Sequence, residues 1–434
     1  MLALLGMNDV SELFSDIPAA LRREPDLPQG RDELGVMREL ETLLSRNLPA
    51  SAAPCFLGGG VYHHFIPAAV EHIVSRSEFY TSYTPYQAEI SQGMLQALFE
   101  YQSLVCEISG MDVANSSLYD GASALGEAAR MCRRLRRGTR FLVPAAMSAE
   151  RAAVLESYLR GSGVESRRYG YGDEDGQMAL EDIRRQLAEG DVCGLYAEMP
   201  NFLGIMDPGL MELREILGDV PLVIGVNPIC LGVAAPPGEM GADIVVGEGQ
   251  PLGSPLNYGG PLLGLFACRQ EHMRKMPGRV VGLTADARGE DAYCLTLQTR
   301  EQHIRRSRAT SNICTNSALG ALAAAVHLSL LGAEGLRDLA QKNMERASRL
   351  MGLLSELPGV RSPRFNAFHF NEFAIELPLS PEEVSRRLLD EGIVGGLPLG
   401  RHLAERKDCM LLASTEMHSD EDQDRLLQAL EGIL

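Results

Sequence analysis

The sequence predicts an α/β protein: a mostly parallel central sheet in a large domain, a smaller α+β C-terminal domain and a helical N-terminal arm. Three observations predict it. Between about Gly110 and Phe266, short apolar runs alternate with polar-faced helical segments, the pattern of parallel strands joined by crossover helices. The strand candidates in the middle of that stretch are apolar without alternation, as strands covered on both faces are. The chain has 434 residues, 45% hydrophobic and 23% charged, enough for a large core and a smaller one and too apolar for disorder.

The arm is assigned to residues 1–60. Its start, MLALLGMNDVSELFSDIP, is apolar but has no basic n-region and no cleavage site, so it reads as an amphipathic helix or arm and not a signal peptide. Leu34, Met37, Leu40, Leu43 and Leu44 then recur at helical spacing until Pro49 and Pro54 break the pattern. Gly58-Gly59-Gly60 leads into the large domain, residues 61–331. Its strand candidates are Phe141–Val143, Val192–Tyr196, Leu222–Val226 and Asp243–Val246. Its helix candidates include Ala149–Leu159, Leu180–Leu187 and a well-buried Leu319–Leu331. The C-terminal domain, 332–434, carries helix candidates at Ala333–Leu357 and Pro381–Glu391 and a strand candidate at Asn371–Leu377.

Composition removes several functions. A formal net charge of −18 argues against a nucleic-acid partner, which needs concentrated Lys and Arg; solubility is the simplest reading of the acidity. No apolar stretch reaches the roughly 20 residues of a membrane span. The nine cysteines are scattered singly, without a C-x-x-C pair or zinc-ligand spacing, which fits buried thiols in a reducing cytoplasm. His63-His64, with His72 beyond, lack carboxylates at ligand spacing and read as packed or interface histidines, so no metal is expected. Only three lysines occur, Lys275, Lys342 and Lys407.

That scarcity bears on the most informative segment, Gly241 to Pro261. An apolar run, Ile244-Val245-Val246, enters a Gly-rich turn, as a central parallel strand does when it delivers a residue to a site at its carboxyl end. In pyridoxal-phosphate (PLP) enzymes of the aminotransferase-like fold, this position holds the Schiff-base lysine. Here Gln250 stands there, and its delocalised amide nitrogen cannot form an imine. One strand earlier, where such enzymes pair an aspartate with the pyridine nitrogen, the sequence offers the neutral Asn227. On any other fold, both are ordinary loop residues.

Four further features stand beside them. Asn115 to Gly126 places small polar residues before a helix start; Ser117, Tyr119 and Asp120 suit either an anion cup or a plain N-cap by Asp120 or Ser117. In Phe79 to Gln92, Tyr80, Tyr83 and Tyr86 crowd Pro85, with Gln87 following: a surface turn, or a loop facing a ligand or subunit. Thr299 to Asn316 concentrates Arg300, Arg305, Arg306 and Arg308, then Thr310-Ser311-Asn312, either a solvated basic face or a loop near a site. Lys275 lies in a charged cluster before a Pro-Gly turn and reads as a surface residue, although an enzyme acting alone would have to use it.

Taken together, the motifs FLGGGVYHHFIPAAVEHIVSRSEFYTSYTPYQAEISQG, EYQSLVCEISGMDVANSSLYDGASA, GADIVVGEGQPLGSPLNYGGPLLGLFACR, RKMPGRVVG and TREQHIRR with ATSNICTN resemble the α subunit (subunit 1) of two-subunit glycine dehydrogenases (decarboxylating), the P-protein of the glycine cleavage system. The resemblance covers nearly the whole chain. It implies the type I PLP-dependent transferase fold and a cytoplasmic α2β2 heterotetramer in which the β subunit holds PLP. It further implies decarboxylation of glycine and transfer of the aminomethyl group to the lipoyl group of the H-protein. On it, this chain has no catalytic residue of its own. Tyr83, Tyr86, Gln87, Ser117, Tyr119, Asp120, Arg306, Thr310, Ser311 and Asn312 are site-lining or interface candidates. The alternative is a scaffold that only stabilises β and docks the H-protein. Ser148-Ala149 departs from the family's His-Pro pair, as Ser307, Arg308 and Ser317 depart from its Glu, Lys and Gln.

Overall fold

Twelve strands carry the architecture of residues 53–434. They are β1 (Val113–Ala114), β2 (Arg140–Pro144), β3 (Glu165–Tyr169), β4 (Val192–Met199), β5 (Leu222–Val226), β6 (Ile244–Glu248), β7 (Gly264–Cys268), β8 (Val280–Ala285), β9 (Asp291–Thr296), β10 (Glu372–Glu376), β11 (Leu397–Pro398) and β12 (Cys409–Ala413). In this computed structural model residues 1–23, 25–49 and 51–434 are described, Thr299 by its backbone alone. Glu24 and Ala50, within the predicted arm, lie outside the described residues.

The central sheet has the order β1-β7-β6-β5-β4-β2-β3. Strands β3, β2, β4, β5 and β6 run parallel; β7 alone is reversed, pairing antiparallel with β6 on one side and with β1 on the other. Every residue of β4, β5 and β6 is buried, because helices and loops cover both faces. One apolar layer holds Leu195, Ile224 and Val245 with helices Gln92–Ser109 and Ala318–Ser355; the other holds Phe141, Val223 and Val246 with helix Gly121–Leu135. Strand β3 closes one edge with exposed Glu165, Arg167 and Arg168, a charged rim that discourages further pairing. The same charges hide it from a hydrophobicity reading. The predicted helices Ala149–Leu159 and Leu180–Leu187 form as Ala149–Leu159 and Leu180–Ala188.

Residues 1–52 and 53–434 are two separate units. In the first, Asp32 caps helix Glu33–Leu44 by accepting from Gly35 N at 2.6 Å. Residues 53–60, assigned to the arm from sequence, belong to the second unit: Cys55 and Leu57 form bridges with Val394 and Leu412. At the passage expected near 332, Gly332 adopts the non-helical φ 61° and ψ −173° and breaks Ala318–Ser355 into two helical stretches, between the helix candidates Leu319–Leu331 and Ala333–Leu357. The C-terminal sheet β10-β12-β11 does not separate as a contact unit, because Phe202, Leu203 and Ile205 pack with Phe365, Ala374 and Leu411. Helix Ala318–Ser355 is, among the described residues, the one helix long and apolar enough to cross a membrane; Ala321, Ala324 and Leu328 bury its first half in the core.

Candidate functional site

A cavity of about 50 Å3 lies beyond the carboxyl ends of β4, β5 and β6. Near or just past the end of each strand a polar residue reaches the crevice, while the apolar body of the strand is buried. Strand β4 contributes Tyr196 and Glu198, β6 contributes Glu248, and Asn227 follows β5. Tyr62, Arg151 and Glu372 close the remaining walls.

These side chains fill the crevice with one another. The Arg151 guanidinium pairs with Glu198 and reaches Tyr196 Oη at 3.4 Å, while Tyr196 Oη donates to Glu198 at 2.9 Å. Tyr62 Oη donates to Glu372 Oε2 at 2.6 Å, and Gly59 N donates to its other oxygen at 2.5 Å. Glu248 accepts from Gln250 N at 3.0 Å and Leu263 N at 2.9 Å on one oxygen, and from Gly121 N at 2.9 Å on the other. Burial pushes the Glu248 and Glu372 carboxyls each up to about 7, against the hydrogen bonds they accept.

Gln250 lies two residues past β6 and Asn227 directly follows β5, and both make structural hydrogen bonds. Gln250 is 1% exposed. Its amide donates to Tyr62 O at 3.0 Å and Ser254 O at 2.8 Å and accepts from Tyr62 N at 3.1 Å. Asn227 Oδ1 caps the short turn Pro228–Gly232 through Ile229 N at 3.0 Å; its Nδ2 is buried without a partner among the described residues.

These residues do not fit PLP. No amine is offered for a Schiff base, and after β5 the neutral Asn227, not a carboxylate, is offered to a ring nitrogen. A cavity of about 50 Å3 has room for only a few waters, at roughly 10–15 Å3 each. Three carboxylates face one guanidinium, a balance hostile to a phosphate ester. Lys275, which an enzyme acting alone would need, is exposed and donates to Arg134 O at 3.0 Å.

The remaining candidates gather elsewhere, and none of them lines the cavity. Asp120 caps helix Gly121–Leu135, accepting from Ser123 N at 2.7 Å. Ser117, at φ 99°, accepts from Ser317 N at 3.1 Å, and Tyr119 Oη accepts from Cys314 N at 3.2 Å. Thr310 N donates to Arg300 O at 3.0 Å, and Ser311 Oγ accepts from Ile313 N at 3.0 Å. Arg279, 3% exposed, joins the two loops: it donates to Tyr86 Oη at 2.8 Å and Cys314 O at 2.6 Å, and stacks 4.8 Å from the Tyr86 ring centroid. Tyr83, Gln87, Arg306 and Asn312 are exposed on the outer turns. His64 is buried against Glu416 at 2.9 Å, and no group of three or more His, Cys, Asp or Glu among the described residues is placed to hold a metal.

Sequence reasoning missed Tyr62, Arg151, Tyr196, Glu198, Glu248 and Glu372. A signal existed for two. Glu198 and Glu248 each stand near or at the end of an otherwise apolar buried strand, where an acid needs a reason to be. Ser148-Ala149, the departure from the His-Pro pair, begins helix Ala149–Leu159: Ser148 Oγ accepts from Arg151 N at 3.2 Å in the turn that presents Arg151 to the cavity.

The profile of the glycine cleavage system P-protein family matches residues 1–430. "Probable glycine dehydrogenase (decarboxylating) subunit 1" of Thermococcus onnurineus (strain NA1) is 46% identical over 437 residues, spanning 100% of this chain and 97% of its own. Its namesake in Moorella thermoacetica is 46% identical over 441 residues with the same coverage. A crystal structure of glycine decarboxylase (P-protein) of the glycine cleavage system, in inhibitor-bound form, superposes with a TM-score of 0.93 at 40% identity, over 100% of this chain and 97% of that one. An apo cysteine desulfurase from Thermococcus onnurineus NA1 superposes at 0.65 with 17% identity, over 94% and 99%, a likeness of fold alone. The fold is the aminotransferase-like, type I fold of PLP-dependent enzymes, as predicted.

Proposed function

The chain belongs to the glycine cleavage system P-protein family, and from that membership we propose that it is the subunit of a glycine dehydrogenase (decarboxylating) that does not carry the cofactor. PLP, which supplies an electron sink, is held by a β subunit in an α2β2 assembly. Glycine loses CO2 there, and its aminomethyl group passes to the lipoyl group of the H-protein. This chain supplies walls that exclude water and orient the reactants.

The observation that carries the reading is an intact type I fold whose cofactor position is filled by the chain's own side chains. Gln250 clamps Tyr62 where the lysine would stand, and Glu248, Arg151 and Glu372 crowd the rest.

Purification of the chain alone, incubation with PLP and dialysis test it. The chain is expected to emerge colourless and unable to release CO2 from glycine. Mixed with a PLP-binding P-protein subunit, it is expected to form a complex that retains PLP and releases CO2 from glycine. Stoichiometric PLP retained by the isolated chain, or CO2 released by it, refutes the assignment.

A further inference from the structure

We propose that Glu248 is a built-in substitute for the cofactor's phosphate, and that this carboxylate, not the missing lysine alone, bars phosphorylated ligands from the chain. The inference rests on the reading of the chain as the subunit without PLP and adds the physical cause.

Helix Gly121–Leu135 has fifteen residues and opens onto the cavity. A helix start presents unpaired N–H groups and the positive end of its dipole, which together attract an anion. The carboxylate there comes from a residue 127 positions away, at the end of β6: Glu248 Oε2 accepts from Gly121 N at 2.9 Å. Its second oxygen is held by Gln250 N and Leu263 N, so both oxygens are fixed by backbone donors. Asp120 adds a second acid by capping Ser123 N. The junction is tight: a Cβ on Gly121 would lie 3.0 Å from Glu248 N and 3.1 Å from Gly247 O. Glu248 is 9% exposed, so a phosphate must displace it to reach the helix. Anion and donors come from one chain, so a free phosphate competes against an acid held in place at a high effective concentration.

Restoring the lysine therefore leaves the exclusion in force, and removing the carboxylate lifts it. The probe is inorganic phosphate, with the full-length chain as wild type, Gln250→Lys and Glu248→Ala. Each protein is melted in chloride and in phosphate buffer of equal ionic strength. Phosphate is expected to raise the melting temperature of Glu248→Ala by at least about 2 °C more than that of the other two proteins. Equal increments in all three overturn the proposal. If Glu248→Ala does not fold in chloride, a cooperative melt recovered by phosphate supports the proposal, and no recovery overturns it. Wild-type protein that retains PLP through dialysis defeats the functional reading itself. Wild-type protein free of PLP, beside a Glu248→Ala protein indifferent to phosphate, defeats only the present inference.

Discussion

The side-chain amide of Gln250 exchanges hydrogen bonds with both main-chain groups of Tyr62, donating to its carbonyl at 3.0 Å and accepting from its N–H at 3.1 Å. The pairing imitates a rung of β-ladder across 188 residues of sequence. It pins the segment after the glycine run over the cavity, so the residue read from sequence as standing in for a lysine bears structure. Gln250→Ala leaves Tyr62 N, Tyr62 O and Ser254 O buried without partners. A loss of about 1–3 kcal/mol is expected, read from the urea midpoint. An unchanged midpoint means the amide contributes nothing.

Glu372 makes a pH prediction with a definite sign. Burial holds its carboxyl at about 7 in the folded chain against a usual 4.5. A raised acid binds its proton more tightly folded than unfolded, so its contribution is present below about pH 4.5 and is lost as pH rises through 7. Glu372→Gln removes that dependence while keeping the shape. The stability of the variant relative to wild type should rise between pH 5 and pH 8 by on the order of 3 kcal/mol. Buried His327 and His369, each held down to about 4 by burial, act in the opposite sense below pH 6.5, but they cancel in the difference. A difference that is flat with pH contradicts the assignment.

Gly225 tests how tightly the crevice is filled. A Cβ at this position would lie 2.3 Å from Tyr196 Oη and 2.8 Å from two ring carbons. The missing side chain in the middle of β5 is what lets the tyrosine reach Glu198. Gly225→Ala is expected to cost about 1–3 kcal/mol. Tyr196→Phe removes the closest clashing atom, so the double variant should be less destabilised than the sum of the singles, as a thermodynamic cycle measures. Strict additivity would show that the two residues do not meet.

The frame of this arrangement was legible in the sequence and its filling was not. Strands Leu222–Val226 and Ile244–Glu248 announce themselves because burial on both faces demands unbroken apolar runs. The vacancy at Gln250 was visible because it is an identity at one position. Glu248, two residues earlier, passed unremarked because its meaning lies in the start of a helix 127 residues away. Tyr62 and Glu372, 310 residues apart, meet only when the C-terminal sheet packs back. Strand β3 escaped because a charged edge strand carries no hydrophobic signal, and β7 because it follows directly on a segment read for its Gly-rich turn.

The interface candidates call for a test that separates folding from turnover. Arg279 holds Tyr86 by a hydrogen bond and by stacking, and through Cys314 O it fixes the segment that carries Asn312. Two loops far apart in sequence are thus mounted on one buried guanidinium, with Tyr83 (80% exposed) and Asn312 on their outer sides. Tyr86→Phe keeps the ring under Arg279 and removes the hydroxyl that accepts from it at 2.8 Å, and Asn312→Ala removes an exposed amide. The lost bond to a charged group costs Tyr86→Phe up to about 1.5–3 kcal/mol and the exposed Asn312→Ala about 0.5 kcal/mol, losses read separately from the melting of each chain. If these loops line the site of a cofactor-bearing partner, each variant should still assemble with that subunit while CO2 release from glycine falls by about tenfold, a barrier change of roughly 1.4 kcal/mol. Assembly is read by gel filtration and turnover on the same fractions. Full turnover in both assembled variants would leave the chain as a scaffold, because polar groups that face reactants cannot be removed without consequence to the transition state.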